Sequence, residues 1–347
     1  MKAWEIGPHG GIDSLRLVER AEPQPGPGEV LVRVKAAGLN YRDLMVVSGQ
    51  YSTGDTEHRI PLSDGVGLVE TPGDGVNELK PGTRVIAPHF TNWLDGAFSM
   101  ALFGSDLGVS ADGWLAQKMI LPASACIAIP DTLSDSGAAT LAVAGGTVWH
   151  AMVEFGQAKS GSLVLAQGTG GVAIFALQLA KALGCEFAIT SSSDEKLAHA
   201  RALGADYTVN YRNRHDWATA ILEQTGGRGV DVVVDTLGFS ALEETITACA
   251  VEARIGTVGA LSGTPQDHGN ASQGALIAKN IAIKGIASGS RRMLEQAMAV
   301  MVDKKIQPVV EHSFPFADAP AAYRHLESRN HFGKVVILPN PRDADTR

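Results

Sequence analysis

The segment "AAGLNYRDLMVVSGQYS" sets an amide, a phenol, a guanidinium and a carboxylate side by side at Asn40, Tyr41, Arg42 and Asp43, with a second phenol, Tyr51, shortly after. Such groups can orient a carbonyl, stabilise a developing negative charge and supply a proton. A phenol does the last without tuning, because its ordinary pKa of about 10 leaves it protonated at neutral pH. The same residues also have a plain structural use. Asn is favoured as a helix N-cap, Asp43 follows three positions on, and Gly49 can stop the helix formed by "YRDLMVVS". Arg42 and Asp43 then read as first-turn charges or a local ion pair, and Tyr51 as a packing aromatic. Asn40 therefore carries two open readings, site amide and cap.

A second stretch, "LAQGTGGVAIFALQLAK", carries Gly168-x-Gly170-x-x-Ala173 after an apolar strand and at the start of a helix. In this frame Gly168 permits a tight turn, Gly170 leaves room for a pyrophosphate, and Ala173 lets the helix lie close to the sheet. The helix start offers free N–H groups and the positive end of a dipole to phosphates. Gly168, Thr169, Gly170, Gly171 and Val172 are thus the expected dinucleotide contacts. The competing reading is a helix start that uses its glycines for packing alone.

An NAD site wants a carboxylate at the end of the second strand to bond the ribose hydroxyls. Here Thr190, Ser191, Ser192 and Ser193 fill that place. Ser192-x-x-Glu195 fits a capping box, which assigns Asp194 and Glu195 to the next helix. Small hydroxyls at Ser191 and Ser192 leave space for a 2′-phosphate, with Lys196, Tyr211 and Arg212 at hand, so NADP(H) is favoured. Lys196 on a solvated helix face is the bland alternative.

The elements that must position these groups fall into three blocks. "EVLVRVKAAGL" (29–39) and "RVIAPHF" (84–90), cut by "PQPGPGE", "TPGDG" and "KPGTR", predict a β-rich first block. In the middle, six short apolar strands (162–167, 186–191, 206–211, 230–238, 252–260 and 281–288) alternate with helices such as 171–184 and 194–204. That alternation predicts an α/β fold with a doubly wound parallel sheet. The tail returns to strands at 307–316 and 333–339 around a helix near 317–328, and is expected to fold back onto the first block. The boundaries read as 1–125 with 308–347, and 126–307, with a frayed end at 340–347.

Composition narrows the function classes. The 347 residues are 45% hydrophobic and 19% charged, and 37 acidic against 29 basic residues leave a net charge of -8. That balance disfavours a nucleic-acid partner, which needs clustered Lys and Arg. No apolar run is long enough to span a bilayer and the N-terminus lacks a signal-like core, so a cytoplasmic protein without a membrane partner is expected. Cys126, Cys185 and Cys249 are far apart, with no C-x-x-C pair, and read as buried thiols. His150, His215 and His331 have no metal-site spacing.

In order, "PGPGEVLVRVKAAGLNYRDL", "LKPGTRVIAP", "AQGTGGVAIFALQLAKALG", "SSSDEKLAHARALGAD" and "GKVVI" make nearly the whole chain resemble the medium-chain dehydrogenase/reductase superfamily. The resemblance implies a GroES-like catalytic domain, made from both chain ends, and a Rossmann domain between them. Zinc members hold catalytic metal with Cys, His and a further Cys or acidic ligand. Here those positions are Asn40, Ser63 with Asp64 beside it, and Val143, a set that does not suit zinc. The four-cysteine structural lobe is also missing from 91–113. The chain therefore resembles the zinc-independent, quinone-oxidoreductase-like branch, whose members reduce quinones or the C=C bond of α,β-unsaturated carbonyls with NADPH.

By that resemblance Asn40, Tyr51 and Asp64 are the expected catalytic residues. Thr147, Leu237, Gly259, Leu261, Ser288, Gly289, Asn330 and Lys334 join the cofactor contacts already named, and no metal is expected. A small carbonyl or quinone is the expected substrate, and a homodimer through the edge strand near 281–288 the expected assembly. Two other readings stand beside this one: an alcohol dehydrogenase, and a non-catalytic NADPH-binding sensor or structural protein. The apolar residues of 94–112 fit a pocket cap or a domain surface equally.

Overall fold

The computed structural model describes residues 1–8, 10–51, 56–259, 261 and 273–339. The expected frayed tail 340–347 and most of "GALSG" (259–263) lie outside the described residues. The chain forms two compact units, Met1–Gly146 with Ser290–Arg347, and Thr147–Gly289. These junctions differ from the predicted ones near 126 and 307. The short helix Asp135–Ala138 packs on the strands Glu29–Gly38 and Asp64–Pro72, and the start of helix Arg291–Asp303 accepts the 91–95 loop, so both segments join the first unit.

The first unit is built on a seven-stranded sheet. Its order runs Val310–Pro315, Lys334–Leu338, Glu29–Gly38, Asp64–Pro72, Arg84–Ile86 and Ile127–Ala128, with Lys118–Pro122 also pairing Glu29–Gly38. The C-terminal strand Lys334–Leu338 thus lies beside one from the N-terminal third, with Val336 opposite Gly38. In the antiparallel pair on the other side, Gly38 faces Asp64. These two registers bring the ends of three distant segments together at one end of neighbouring strands. Gly38 is needed there, since a Cβ would stand 2.3 Å from the Ala139 carbonyl oxygen. Beneath lies a core that includes Trp4, Val32, Leu39, Trp114, Tyr323 and Ile337.

The second unit is a six-stranded parallel sheet in the order Tyr207–Asn210, Glu186–Ser191, Leu163–Gln167, Val230–Asp235, Cys249–Thr257, Ala282–Gly285. The strand order reverses beside Leu163–Gln167, as in doubly wound dinucleotide folds. Leu163–Gln167 is buried throughout, which is why it reads as an unbroken apolar run rather than an alternation. Helix Gly171–Ala182 buries Ala173 through Ala180. Helix Asp194–Ala202 begins one residue later than the Ser192 capping box predicts: Ser193 is the N-cap, its Oγ accepting the Lys196 N–H at 3.3 Å. Among the described residues no helix is long and apolar enough to cross a membrane.

Candidate functional site

In the first unit, the predicted catalytic residues Asn40 and Asp64 meet Lys334. Asn40 is the N-cap of helix Tyr41–Val47, and the Asp43 carboxylate accepts its backbone N–H at 2.8 Å. Its side chain is engaged as well: Nδ2 donates to Asp64 Oδ2 at 2.9 Å, and Oδ1 accepts from Lys334 Nζ at 2.6 Å. Asn40 thus takes the predicted N-cap position while its side chain bonds Asp64 and Lys334. Lys334 is 6% exposed, and its ammonium also donates to the Leu39 carbonyl at 2.8 Å and lies 3.3 Å from Asp64 Oδ2. Asp64 is fully buried and takes the Val143 backbone N–H on Oδ1 at 2.7 Å.

All the positions that carry zinc ligands in the resemblance thus fall in or beside one polar cluster. An amide, a hydroxyl and one carboxylate already facing an ammonium do not fit a zinc ion, which prefers imidazole and thiolate. Among the described residues no group of three or more His, Cys, Asp or Glu is arranged to hold a metal. The geometry also revises one expectation. The three donors of Lys334 all have partners inside this cluster, so we carry it forward as the residue that orients Asn40 rather than as a phosphate ligand.

A second network adjoins the first through Ser63. Asp43 Oδ1 accepts from the Ser63 hydroxyl at 2.6 Å, and the same Oγ accepts from Arg42 Nη1 at 2.7 Å. Arg42 Nη2 lies 2.8 and 2.7 Å from the two oxygens of Asp106, and the Arg42 guanidinium is 4.6 Å from the centre of the Tyr51 ring. His89 Nδ1 is 2.8 Å from Asp106 Oδ1. The same nitrogen lies 3.0 Å from Arg42 Nη1. Asp106 and His89 are buried, and 10% of the Arg42 side chain is exposed.

The charges in this network shift one another. Burial presses the Asp106 carboxyl upward, but His89 and Arg42 outweigh it and hold it below the ordinary carboxylate range. Burial, then the Arg42 charge, pushes His89 down, so the imidazole stays neutral. Burial raises Asp43 against the pull of Arg42 and Ser63, and raises Tyr51 against the pull of Arg42. Arg42 itself is lowered by burial and raised by Asp106, with a net rise, so it stays a cation. Sequence reasoning ranks Arg42 low and omits His89 and Asp106. No spacing joins "APHF" to "GSDLG"; only the fold does.

The apolar 94–112 segment shares this neighbourhood. Phe90 lies tilted against His89 with ring centres 4.0 Å apart, and packs edge-on against Phe98 and Phe103 at 5.8 and 5.2 Å. Trp93 is buried, whereas Leu94 and Met100 are exposed. The segment docks on helix Arg291–Asp303, whose Arg291 and Arg292 amides donate to the Trp93 and Leu94 carbonyls. Those two arginines are engaged locally, Arg291 with Glu295 and Cys126 O, and Arg292 with Asp95. Asn330 lies exposed in this unit.

In the second unit the glycine turn stands as predicted. Gly168 adopts φ +78°, a conformation that favours glycine, with open space where a Cβ would point. Gly170 is the N-cap of Gly171–Ala182 and makes no side-chain cap bond, so the first helical N–H groups lack that partner. Thr169, Ser191 and Thr147 are buried; Tyr211 is 41% exposed at the end of its strand, its N–H donating to Ser191 O. Asp235 Oδ1 accepts the Leu237 and Gly238 amides at 3.2 Å, and the Leu261 amide donates to Thr236 O. Ser288 is 1% exposed and its Oγ has no hydrogen-bond partner among the described residues, while His150 Nδ1 holds its carbonyl at 2.6 Å. Gly289 beside it is buried.

The open Gly168 turn, the uncapped helix start and the orphaned Ser288 hydroxyl fit a dinucleotide. They lie at or just beyond the C-terminal ends of the parallel strands, where such folds bind ligands. A cavity of about 730 Å³ lies instead at the opposite ends, lined by residues such as Ser162, Arg228, Asp231 and Glu252. Its size does not make it the site, because it lacks the glycine turn and the helix start.

Residues 26–131 match the family model described as the alcohol dehydrogenase GroES-like domain, and residues 171–303 the one described as zinc-binding dehydrogenase. A zinc-type alcohol dehydrogenase-like protein of Schizosaccharomyces pombe is 40% identical over 334 residues, 94% of this chain and 96% of its own. An acryloyl-coenzyme A reductase of Sulfurisphaera tokodaii is 29% identical over 98% of this chain and 100% of its own. The structure of Escherichia coli quinone oxidoreductase complexed with NADPH matches with a TM-score of 0.82 at 26% identity, covering 98% of this chain and 100% of that one.

Proposed function

Because the chain belongs to the medium-chain dehydrogenase/reductase superfamily, in its zinc-independent, quinone-oxidoreductase-like branch, we propose that it reduces a quinone or the C=C bond of an α,β-unsaturated carbonyl with NADPH. The observation that carries this reading is the Asn40–Asp64–Lys334 cluster, which fills the zinc-ligand region with groups unsuited to the metal. Simple alcohol oxidation in this family leans on a Lewis acid. Conjugate reduction needs only donors at the carbonyl oxygen, where enolate charge develops, and a proton source. The NADPH-bound quinone oxidoreductase and the acryloyl-coenzyme A reductase among the relatives support the same chemistry.

NADPH, when bound, supplies the hydride. The chain's own residues do the rest. The amides at the start of helix Gly171–Ala182 face the pyrophosphate, and Ser191 and Ser192 leave room for the 2′-phosphate beside Lys196. The absence of a carboxylate at the end of Glu186–Ser191 supports NADPH over NADH. Asn40 has two amide hydrogens; Asp64 takes one, and the second is the donor for the substrate carbonyl. Lys334 fixes the amide by holding its oxygen. Tyr51 supplies the proton. Among the described residues strand Ala282–Gly285 has a single neighbour in its sheet and is mostly exposed, which supports a homodimer paired through it; light scattering tests that assembly.

The test of the activity is NADPH oxidation across quinones, enones, enals and enoyl thioesters, with metal analysis of the same protein. Turnover of at least one class by metal-free enzyme is expected. Activity confined to alcohols with NADP⁺, or a stoichiometric zinc that activity requires, overturns the proposal. NADPH binding without turnover of any acceptor favours the non-catalytic reading.

A further inference from the structure

The Arg42 guanidinium is gripped more firmly than a helix-surface charge. Asp106 holds Nη2 with both oxygens, Ser63 accepts from Nη1, and His89 fixes Asp106 from behind. Ser63 is in turn fixed by Asp43. A planar cation locked on its edge keeps its face for an aromatic ring, and the ring it meets is Tyr51, 4.6 Å away. A local helix ion pair does not require this apparatus. It draws residues from four separate stretches of chain, around 42, 63, 89 and 106, to hold one cation beside one phenol.

We propose that Arg42 is the positioning residue for proton delivery: clamped by Asp106 and Ser63, it holds the Tyr51 ring and stabilises the phenolate that remains when Tyr51 gives up its proton. This rests on Tyr51 as the proton donor of the reductase described above. After hydride has added at the β-carbon, the Tyr51 O–H bond breaks and the enolate electron pair forms a C–H bond at the α-carbon. The negative charge passes to the Tyr51 oxygen, and a proton from water restores the phenol. Among the described residues, the charged groups that act on Tyr51 are Arg42, Asp106 and Asp43. The two carboxylates disfavour phenolate and burial adds to them, so Arg42 is the one neighbour among these that favours it. His89 is held toward its neutral form and touches both Asp106 and Arg42.

The test reads Tyr51 ionisation directly, as the tyrosinate absorbance present in the parent protein and lost on Tyr51→Phe. An opposite charge at this range lowers a pKa by about 1–3 units. Replacing Arg42→Gln together with Asp106→Asn, which removes the ion pair as a whole, is expected to move Tyr51 ionisation upward by up to about one pH unit, the lost attraction of Arg42 outweighing the lost repulsion of Asp106. Arg42→Lys keeps the charge and the pairing with Asp106 but loses the planar clamp. It is expected to move ionisation less and to lower kcat at least tenfold with little change in the KM for NADPH. Tyr51 ionising at the parent pH in both variants, while Tyr51→Phe is inactive, overturns this inference and leaves the donor role standing. Full turnover by Tyr51→Phe removes the donor role and the inference with it.

Discussion

Lys334→Met removes the ammonium that joins the last strand to the Asn40 and Asp64 segments. Its Nζ donates at 2.6 Å to Asn40 Oδ1 and 2.8 Å to Leu39 O, and lies 3.3 Å from Asp64 Oδ2. At 3.3 Å and an effective dielectric of about 20, the attraction to Asp64 is about 5 kcal/mol, much of it offset by desolvation of the two ions. Removing only the lysine leaves the desolvation cost of Asp64 without its counter-charge, a loss of about 3–5 kcal/mol. The Asn40 and Val143 N–H groups still bond Asp64, which favours the lower end. A loss of about 3 kcal/mol lowers the melting temperature of a domain of this size by about 6–12 °C. The assay pairs thermal unfolding with NADPH binding followed by nucleotide fluorescence. The expected result is a large thermal loss, little change in Kd, and partial recovery of stability when Asp64→Asn is added. A tenfold weaker NADPH affinity with unchanged stability would make Lys334 a phosphate ligand and refute this reasoning.

Three further outcomes follow from the same geometry. Asp106→Ala strands the Arg42 cation and should cost about 3–5 kcal/mol in denaturant titration, whereas a loss below about 1 kcal/mol would mean that Arg42 finds water instead. His89 is held below its ordinary pKa by burial and Arg42, so its folded state favours the neutral ring. Its contribution is therefore present above the unfolded value of about 6.5 and is lost as pH falls from there toward the folded pKa. His89→Gln should flatten the stability curve in that window by up to about 1.4 kcal/mol per pH unit, and an unchanged slope would contradict the assignment. Gly168→Ala must hold φ near +78°, which costs about 1–2 kcal/mol. No atom crowds the new methyl, so the fold should survive while NADPH affinity, read by titration calorimetry, falls about tenfold or more.

The dinucleotide half was the more legible because its signals are local. Gly168, Gly170 and Ala173 act through backbone conformation and close approach within one strand–turn–helix, and short apolar strands separated by helices leave few topologies. Even there, cap assignment slipped by one residue at Ser193, since four adjacent hydroxyls present nearly equivalent caps. The domain junctions also shifted, because the helices beginning near 135 and 291 carry no motif that says which unit they pack upon.

The catalytic half was legible mainly through what stands in place of metal ligands. Residue type alone determined that Asn40, Ser63 and Val143 cannot form a zinc-thiolate site, that the end of Glu186–Ser191 offers hydroxyls rather than an acid, and that the middle of the chain alternates strand and helix. Only tertiary structure decided that Lys334 reaches Asn40 from almost three hundred residues away in sequence, and that Arg42 faces Tyr51 under the hold of Asp106 and His89. The physical reason is that periodicity and turn chemistry are encoded between near neighbours. The partners of a buried charge are set instead by sheet register, which pairs the segments around residues 38, 64 and 336 whatever their separation along the chain.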